Sequence, residues 1–194
     1  MRICFSETDW PWAPERFRFA AEQMLLTLFP GEKPEYPDAP APTAPDREPS
    51  AVIITLHRGE KLSCVTAQVG QGGRCHRAVA RFPSDRLDEP EEQVYHTVSH
   101  ALKQAFYKAG TALLGHDLPW GSLTGVRPVK LPTRAMLAGK TARQAQRELE
   151  VDYHVSAPRA ALAVECAQAA LDVGRGLSKN GMALYLGVPF CPTR

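Results

Sequence analysis

The sequence predicts an α+β fold: a small antiparallel sheet carrying two helices, then a helical connector and a final short strand. Three observations carry this expectation. Residues 51–82 hold β-branched segments separated by tight glycine turns. Two long amphipathic stretches, near 14–29 and 88–114, flank them. Beyond residue 127 the apolar spacing breaks into short helical segments punctuated by glycine.

Composition bounds the class. A chain of 194 residues suits one domain with extensions. With 44% hydrophobic and 23% charged residues it reads as an ordinary soluble globular protein. The net charge of +2 is too small to capture nucleic acid by bulk electrostatics. No apolar run approaches the ~18 residues of a membrane span. The start, Met1-Arg2-Ile3-Cys4-Phe5-Ser6-Glu7, lacks the apolar core of a signal peptide. Five cysteines, at 4, 64, 75, 166 and 191, are odd in number and scattered, which is no disulfide framework; a reducing cytoplasm is the expected compartment.

Met1 to Ser6 alternates, with Ile3 and Phe5 on one side, and predicts a strand. A helix is expected over 14–29, with Phe17, Ala20, Ala21, Met24, Leu25 and Leu28 on its apolar face and Pro30-Gly31 as its stop. Residues 30–50 hold seven prolines among charged and small residues and predict an exposed, extended linker. A proline-rich partner ligand is the alternative there. Strands follow at 51–57, 62–69 and 75–82; the glycine turns between them make them antiparallel neighbours. Asp88 is the expected cap of the next helix, which runs to Leu114 on a stripe of Val94, Val98, Ala101, Leu102, Ala105, Ala109 and Leu113. Together these make residues 1–114 an α+β domain.

Residues 115–180 are expected to form a loop and helical connector. The chain is irregular from His116 to Val126. One helix is expected near 128–137, stopped at Gly139. A second starts on a Thr141–Gln144 capping box. A third has Ser156 as cap and Ala161, Leu162, Val164, Cys166 and Leu171 inside. Met182 to Val188 then reads as a short buried strand ended by Pro189, with Phe190 and Cys191 on the loop beyond it. In α/β folds that end of a strand is where cofactors bind.

Leu184-Tyr185-Leu186-Gly187-Val188-Pro189-Phe190-Cys191-Pro192-Thr193-Arg194 resembles the first half of the cluster motif of radical S-adenosylmethionine enzymes. Within them it is similar to the oxygen-independent coproporphyrinogen III oxidase family, in its coproporphyrinogen dehydrogenase (HemZ-type) branch. Ser122-Leu123-Thr124-Gly125-Val126-Arg127-Pro128 matches the same branch upstream. The family motif runs Cys, three residues, Cys, two residues, Cys, and its thiolates hold a [4Fe–4S] cluster. The resemblance implies that Cys191 is the first of them and that residues 181–194 are the first strand and cluster loop of a truncated radical barrel. Better-known oxidases have histidine where this chain has Gly187, so their substrate detail is not carried over.

Three residues are singled out. Cys191 is the metal ligand that the resemblance implies; the plainer alternative is a buried structural cysteine. Tyr185 falls where the family's tyrosine approaches bound S-adenosylmethionine; the alternative is a core aromatic. Arg127 follows a glycine loop and precedes a helix, so it could grip a substrate carboxylate with its two-pronged guanidinium; the alternative is an arginine that pins the loop. Glu92, His96 and His100 lie four apart, a spacing able to chelate metal, but a solvated helix face is the preferred reading. Lys130, Arg134, Arg143 and Arg147 make a basic stripe without interleaved aromatics, again read as solvated.

The resemblance implies a parent oxidoreductase of porphyrin biosynthesis that uses the cluster and S-adenosylmethionine to turn propionates into vinyl groups. Its partners would be a porphyrinogen and an electron donor, with no membrane and no nucleic acid. The alternatives are a haem-trafficking relative and an RNA-binding accessory domain of a radical enzyme. One thiolate does not retain a cubane, so the chain alone is expected to be inert, with strand 182–188 frayed for want of neighbours.

Overall fold

The computed structural model describes residues 1–6, 9–36, 50–124 and 127–176, with residues 182, 184, 186 and 187. Strand β1 (Arg2–Phe5) leads through a single 3-10 turn, Pro14–Phe17, into α1 (Arg18–Leu28). Strands β2 (Ser50–His57), β3 (Leu62–Gln71) and β4 (Arg74–Pro83) follow, then a second 3-10 turn and the long helix α2 (Glu91–Leu114). Helices α3 (Lys130–Leu137), α4 (Ala142–Asp152) and α5 (Ala157–Gly176) complete the described elements.

The four strands lie in the order β1-β2-β3-β4. β2 and β3 pair antiparallel, Val52 opposite Val69 and Leu56 opposite Val65. β3 and β4 do the same across the Gly72-Gly73 turn, with Val65 opposite Ala80. β1, however, runs parallel to β2, with Ile3 opposite Val52. The sheet is therefore mixed, not purely antiparallel as expected. The reason is topological: α1 returns the chain before β2 begins, and a helical crossover joins parallel strands.

Both expected helix stripes are buried in full, Phe17 through Leu28 on α1 and Val94 through Leu113 on α2. They cover the sheet face made by Ile3, Val52, Ile54, Leu56, Val65, Ala67 and Val69. Each large aliphatic side chain so buried contributes about 1.5–3 kcal/mol. The start of α2 differs from expectation. Its cap position is Pro90, without a side-chain cap. Asp88 instead accepts from Arg58 Nη2 through both carboxylate oxygens, at 2.7 and 2.9 Å.

Residues 30–36 are tied to the domain at several points, although Pro30, Gly31, Lys33 and Glu35 are exposed. The Met1 ammonium binds Glu32 Oε2 and the Lys33 carbonyl, each at 2.7 Å. Glu32 Oε1 also accepts from Ser50 and Gln71. Tyr36 donates to Glu22 at 2.7 Å beneath the Arg18 guanidinium. A terminal charge and an aromatic ring outweigh the proline signal here. Residues 37–49 lie outside the described residues.

A second core joins α3, α4 and α5 through Ala135, Ala145, Leu149, Val155, Ala160, Ala163 and Val164. The Thr141 capping box forms as expected: Gln144 N donates to Thr141 Oγ1 and Thr141 N to Gln144 Oε1. The face of α5 differs. Ala160, Ala163, Val164 and Ala167 are buried, whereas Leu162 and Cys166 are exposed. Alanine occurs all round this helix, so periodicity does not select a face, and the close approach of α4 selects the smallest one. Ser156, its expected cap, donates its hydroxyl to the Pro119 carbonyl at 3.0 Å. Met182, Leu184 and Leu186 are exposed and lie in no strand; the rest of the segment expected as the final strand, apart from Gly187, lies outside the described residues.

The two cores meet along α2. Ser122 N and Oγ both donate to the Tyr153 carbonyl, at 2.8 and 3.1 Å. Gln104 Nε2 reaches the Asp152 carbonyl at 2.5 Å. Tyr107 stacks on His154, with ring centroids 5.4 Å apart. Tyr107 also accepts from Leu118 N at 3.1 Å. Gly121 has φ 57, and a Cβ there would lie 2.0 Å from the Tyr153 oxygen. Alanine at 121 must therefore break this seam as well as strain the backbone. Gly121→Ala is expected to lower Tm by about 5 °C or more. Gly139→Ala, with φ 90 but open space around its Cβ, should cost about half of that. Equal shifts in a thermal melt would show that the seam carries no stability.

The seam is also sensitive to pH. Burial, ahead of nearby charges, holds the His100 and His154 imidazoles below their usual pKa of 6.5. Above that value both rings are neutral folded and unfolded, and neither adds a pH slope. As pH falls through it, the unfolded chain binds protons that the folded chain refuses, so stability declines until the lowered folded pKa is passed. The urea midpoint should therefore fall as the pH drops below 6.5, and His100→Gln with His154→Asn should flatten that part of the curve. An unchanged slope in the double variant would place the effect on other groups.

Candidate functional site

Once α2 has committed one stripe to the sheet, its other side carries His96, Ser99, His100 and Lys103. Steps of three and four residues put these side chains in one row. Across from them lie the turn 122–124 and α3, which present Arg127, Lys130 and Arg134. Between the two is a groove of about 850 Å³, within the ~300–1,000 Å³ range of small-molecule sites. Leu123, Val129, Leu131, Leu137 and Tyr153 give it an apolar lining. Four cationic side chains, Lys103, Arg127, Lys130 and Arg134, line it with no carboxylate among its wall residues.

The wall on α2 is held in place. His100 sits edge-on to Tyr153, with centroids 4.9 Å apart, and lies 3.0 Å from Gln104 Nε2. Lys103 Nζ donates to the Thr124 carbonyl at 3.2 Å, which ties the turn to the helix. Burial pushes the Lys103 ammonium below its ordinary pKa, with no carboxylate to oppose the shift. Burial likewise pushes the Tyr153 phenol up. The hydroxyls of Ser99 and Thr124 are buried and make no hydrogen bond among the described residues.

Of the sequence candidates, Arg127 is exposed at the mouth of this groove. Tyr185 and Cys191 lie outside the described residues. His96 and His100 share the groove wall but not an environment: His96 is exposed, with Glu92 at 3.8 Å, whereas His100 is half-buried. No cluster of three or more His, Cys, Asp or Glu suited to a metal occurs among the described residues. Cys4 on β1 is buried, Cys64 on β3 is half-buried, and Cys75 on β4 and Cys166 on α5 are exposed. The described residues therefore do not form the ligand set of an iron–sulfur cluster. The basic stripe divides: Lys130 and Arg134 face the groove, while Arg147 lines a separate hollow with Lys140.

Ser99 and Lys103 escaped the sequence reading, and Thr124 entered it only as part of the Ser122–Pro128 motif. Ser99 and Lys103 did leave a signal, since they continue the polar row of His96 and His100 along a helix whose opposite side is apolar. The motif marked the Thr124 loop but not the side chain's burial, which depends on the pairing of its turn with α2.

No helix among the described residues is long and apolar enough to cross a membrane. No family model matches the chain, and no solved structure does. The chain is similar to the oxygen-independent coproporphyrinogen-III oxidase-like protein HemZ of Bacillus subtilis (strain 168), with 30% identity over 151 residues. That similarity covers 76% of this chain but 30% of the relative, so the chain spans less than a third of that protein's length.

Proposed function

We propose that this chain is the N-terminal portion of an oxidoreductase related to oxygen-independent coproporphyrinogen III oxidase. The observation that carries the reading is the similarity to HemZ along three-quarters of the chain. The groove agrees with it in chemistry. A porphyrinogen bearing propionates is a flat apolar body with carboxylates at its edge, and the groove offers an apolar lining edged by cations. In this reading Arg127, exposed and lining the groove with Lys130, would hold one propionate carboxylate in fork geometry.

The reaction of such an enzyme converts a propionate into a vinyl group with loss of carbon dioxide. A [4Fe–4S] cluster and S-adenosylmethionine, with an electron donor, would supply its redox chemistry. Cys191 and Tyr185 are the residues that this reading assigns to those groups. The described residues offer no thiolate set, so their own part is confined to binding and orienting the substrate. Cys191 as a single thiolate does not hold a cubane. The 194-residue chain alone should therefore show no cluster absorption after anaerobic treatment with iron and sulfide.

The complete protein, loaded with cluster, S-adenosylmethionine and reductant, should convert coproporphyrinogen III into vinyl products separable by chromatography. A fully loaded protein that forms none would overturn the oxidase reading. A Soret shift with haem in that same protein would favour a carrier instead. Arg127→Lys should reduce kcat/KM about tenfold, since lysine keeps the charge and loses the fork. Tm should hold within about one degree for this exposed side chain. A large fall in Tm with normal turnover would make Arg127 an arginine that pins its loop.

A further inference from the structure

The deep wall of the groove presents buried polar groups without the partners that such groups normally have. Ser99 is 9% exposed and Thr124 7% exposed. Neither hydroxyl has a hydrogen bond among the described residues. Buried polar side chains are nearly always paired, and leaving one unpaired costs about 1–3 kcal/mol. Ser99 and Thr124 line the same cavity as Lys103, which stands one helical turn after Ser99 and holds the Thr124 carbonyl; a rotation about Cα–Cβ is enough to turn either hydroxyl into it. Lys103 itself is half-buried and has no acidic neighbour in the cavity wall.

We propose that Ser99, Lys103 and Thr124 form a carboxylate-binding subsite at the back of the groove, separate from Arg127 at its mouth. One carboxylate there can accept from both hydroxyls and from the ammonium, which still has two protons to offer beyond the one given to Thr124. A charge-assisted bond formed away from water is stronger than the same bond at the surface. The apolar side chains between the two cationic points favour a ligand with an apolar body and carboxylates at more than one edge. A small inorganic anion would satisfy the subsite alone and leave the lining uncovered. The inference rests on the groove being the ligand site proposed above, and it deepens that reading by assigning a second carboxylate contact.

The test uses the 194-residue chain and no turnover, with coproporphyrin III as the probe and its tetramethyl ester as control. The acid should quench or shift in fluorescence titration and the ester should bind at least tenfold more weakly. Lys103→Met should weaken acid binding about tenfold, and Ser99→Ala and Thr124→Val each about threefold or more. The same two hydroxyl variants should melt no lower than the parent, because they remove unpaired buried oxygens and leave the fold's own hydrogen bonds intact. Hydroxyl variants that melt several degrees lower would mean that those oxygens bond within the protein, and the proposal falls. Equal affinity for acid and ester, or Lys103→Met without effect, overturns it too. Competition by inorganic phosphate as effective as by glutarate would also overturn it, in favour of an unselective anion site. Binding that follows these variants, in a protein whose loaded complete form makes no vinyl product, would keep the subsite and discard the oxidase.

Discussion

The structure depends on one helix having to bury two sides. α2 gives Val94, Val98, Leu102, Ala105, Ala109 and Leu113 to the sheet. Its reverse side carries Ser99, His100, Lys103, Gln104 and Tyr107, too polar to be covered by another apolar sheet. The second core meets that side through hydrogen bonds and ring contacts: Gln104 to the Asp152 carbonyl, Tyr107 on His154, His100 under Tyr153. A seam of this kind is satisfied only along its length. The polar row of α2 that forms the seam, with His100, Lys103 and Ser99, also lines the groove, together with Ser122 and Tyr153.

The charge arrangement follows from the same geometry. Acidic side chains near the start of α2 point to other partners, Glu91 to Arg16 and Glu92 to His96. Asp88 is held by Arg58 on the sheet side. Among the described residues the groove lining thus holds cations from both walls and no carboxylate. An unpaired surface lysine costs a protein little, because water solvates it. A half-buried one is a different matter, since burial disfavours its charged form and an anion would favour it. Site and seam share residues: the turn that supplies Thr124 also supplies the Ser122 bonds to Tyr153.

Much of the fold was legible because local rules governed it. The stripes of α1 and α2 were read residue for residue, since a helix lying on a sheet has one apolar face and the period selects it. The Thr141 capping box was equally local. Errors arose where a distant partner decided. Asp88 went to Arg58 rather than to a helix end, and α5 turned an alanine face inward because α4 came close. Residues 30–36 were fixed by the amino terminus, which no composition argument anticipates. At the site, the glycine loop drew attention to Arg127 and the four-residue spacing to His96 and His100. The groove was invisible, because its walls are distant in sequence and are tied by long-range contacts such as Lys103 to Thr124 and His100 to Tyr153. Tyr185 and Cys191, the strongest motif residues, lie outside the described residues.

The position of the groove on a seam has an energetic consequence. A ligand that occupies it touches α2 on one side and the turn and α3 on the other, so binding energy is shared between the two cores. Anything that binds the joined arrangement and not the separated one adds to stability in proportion to its affinity. The buried hydroxyls of Ser99 and Thr124 work in the opposite direction before binding, since each carries an unmet hydrogen bond into the folded state. The junction is thus weakest where a polar ligand would strengthen it most. In an ordinary structural seam that arrangement is a defect easily removed by substituting alanine or valine. In a binding seam the same unmet bonds are what a carboxylate finds already in place.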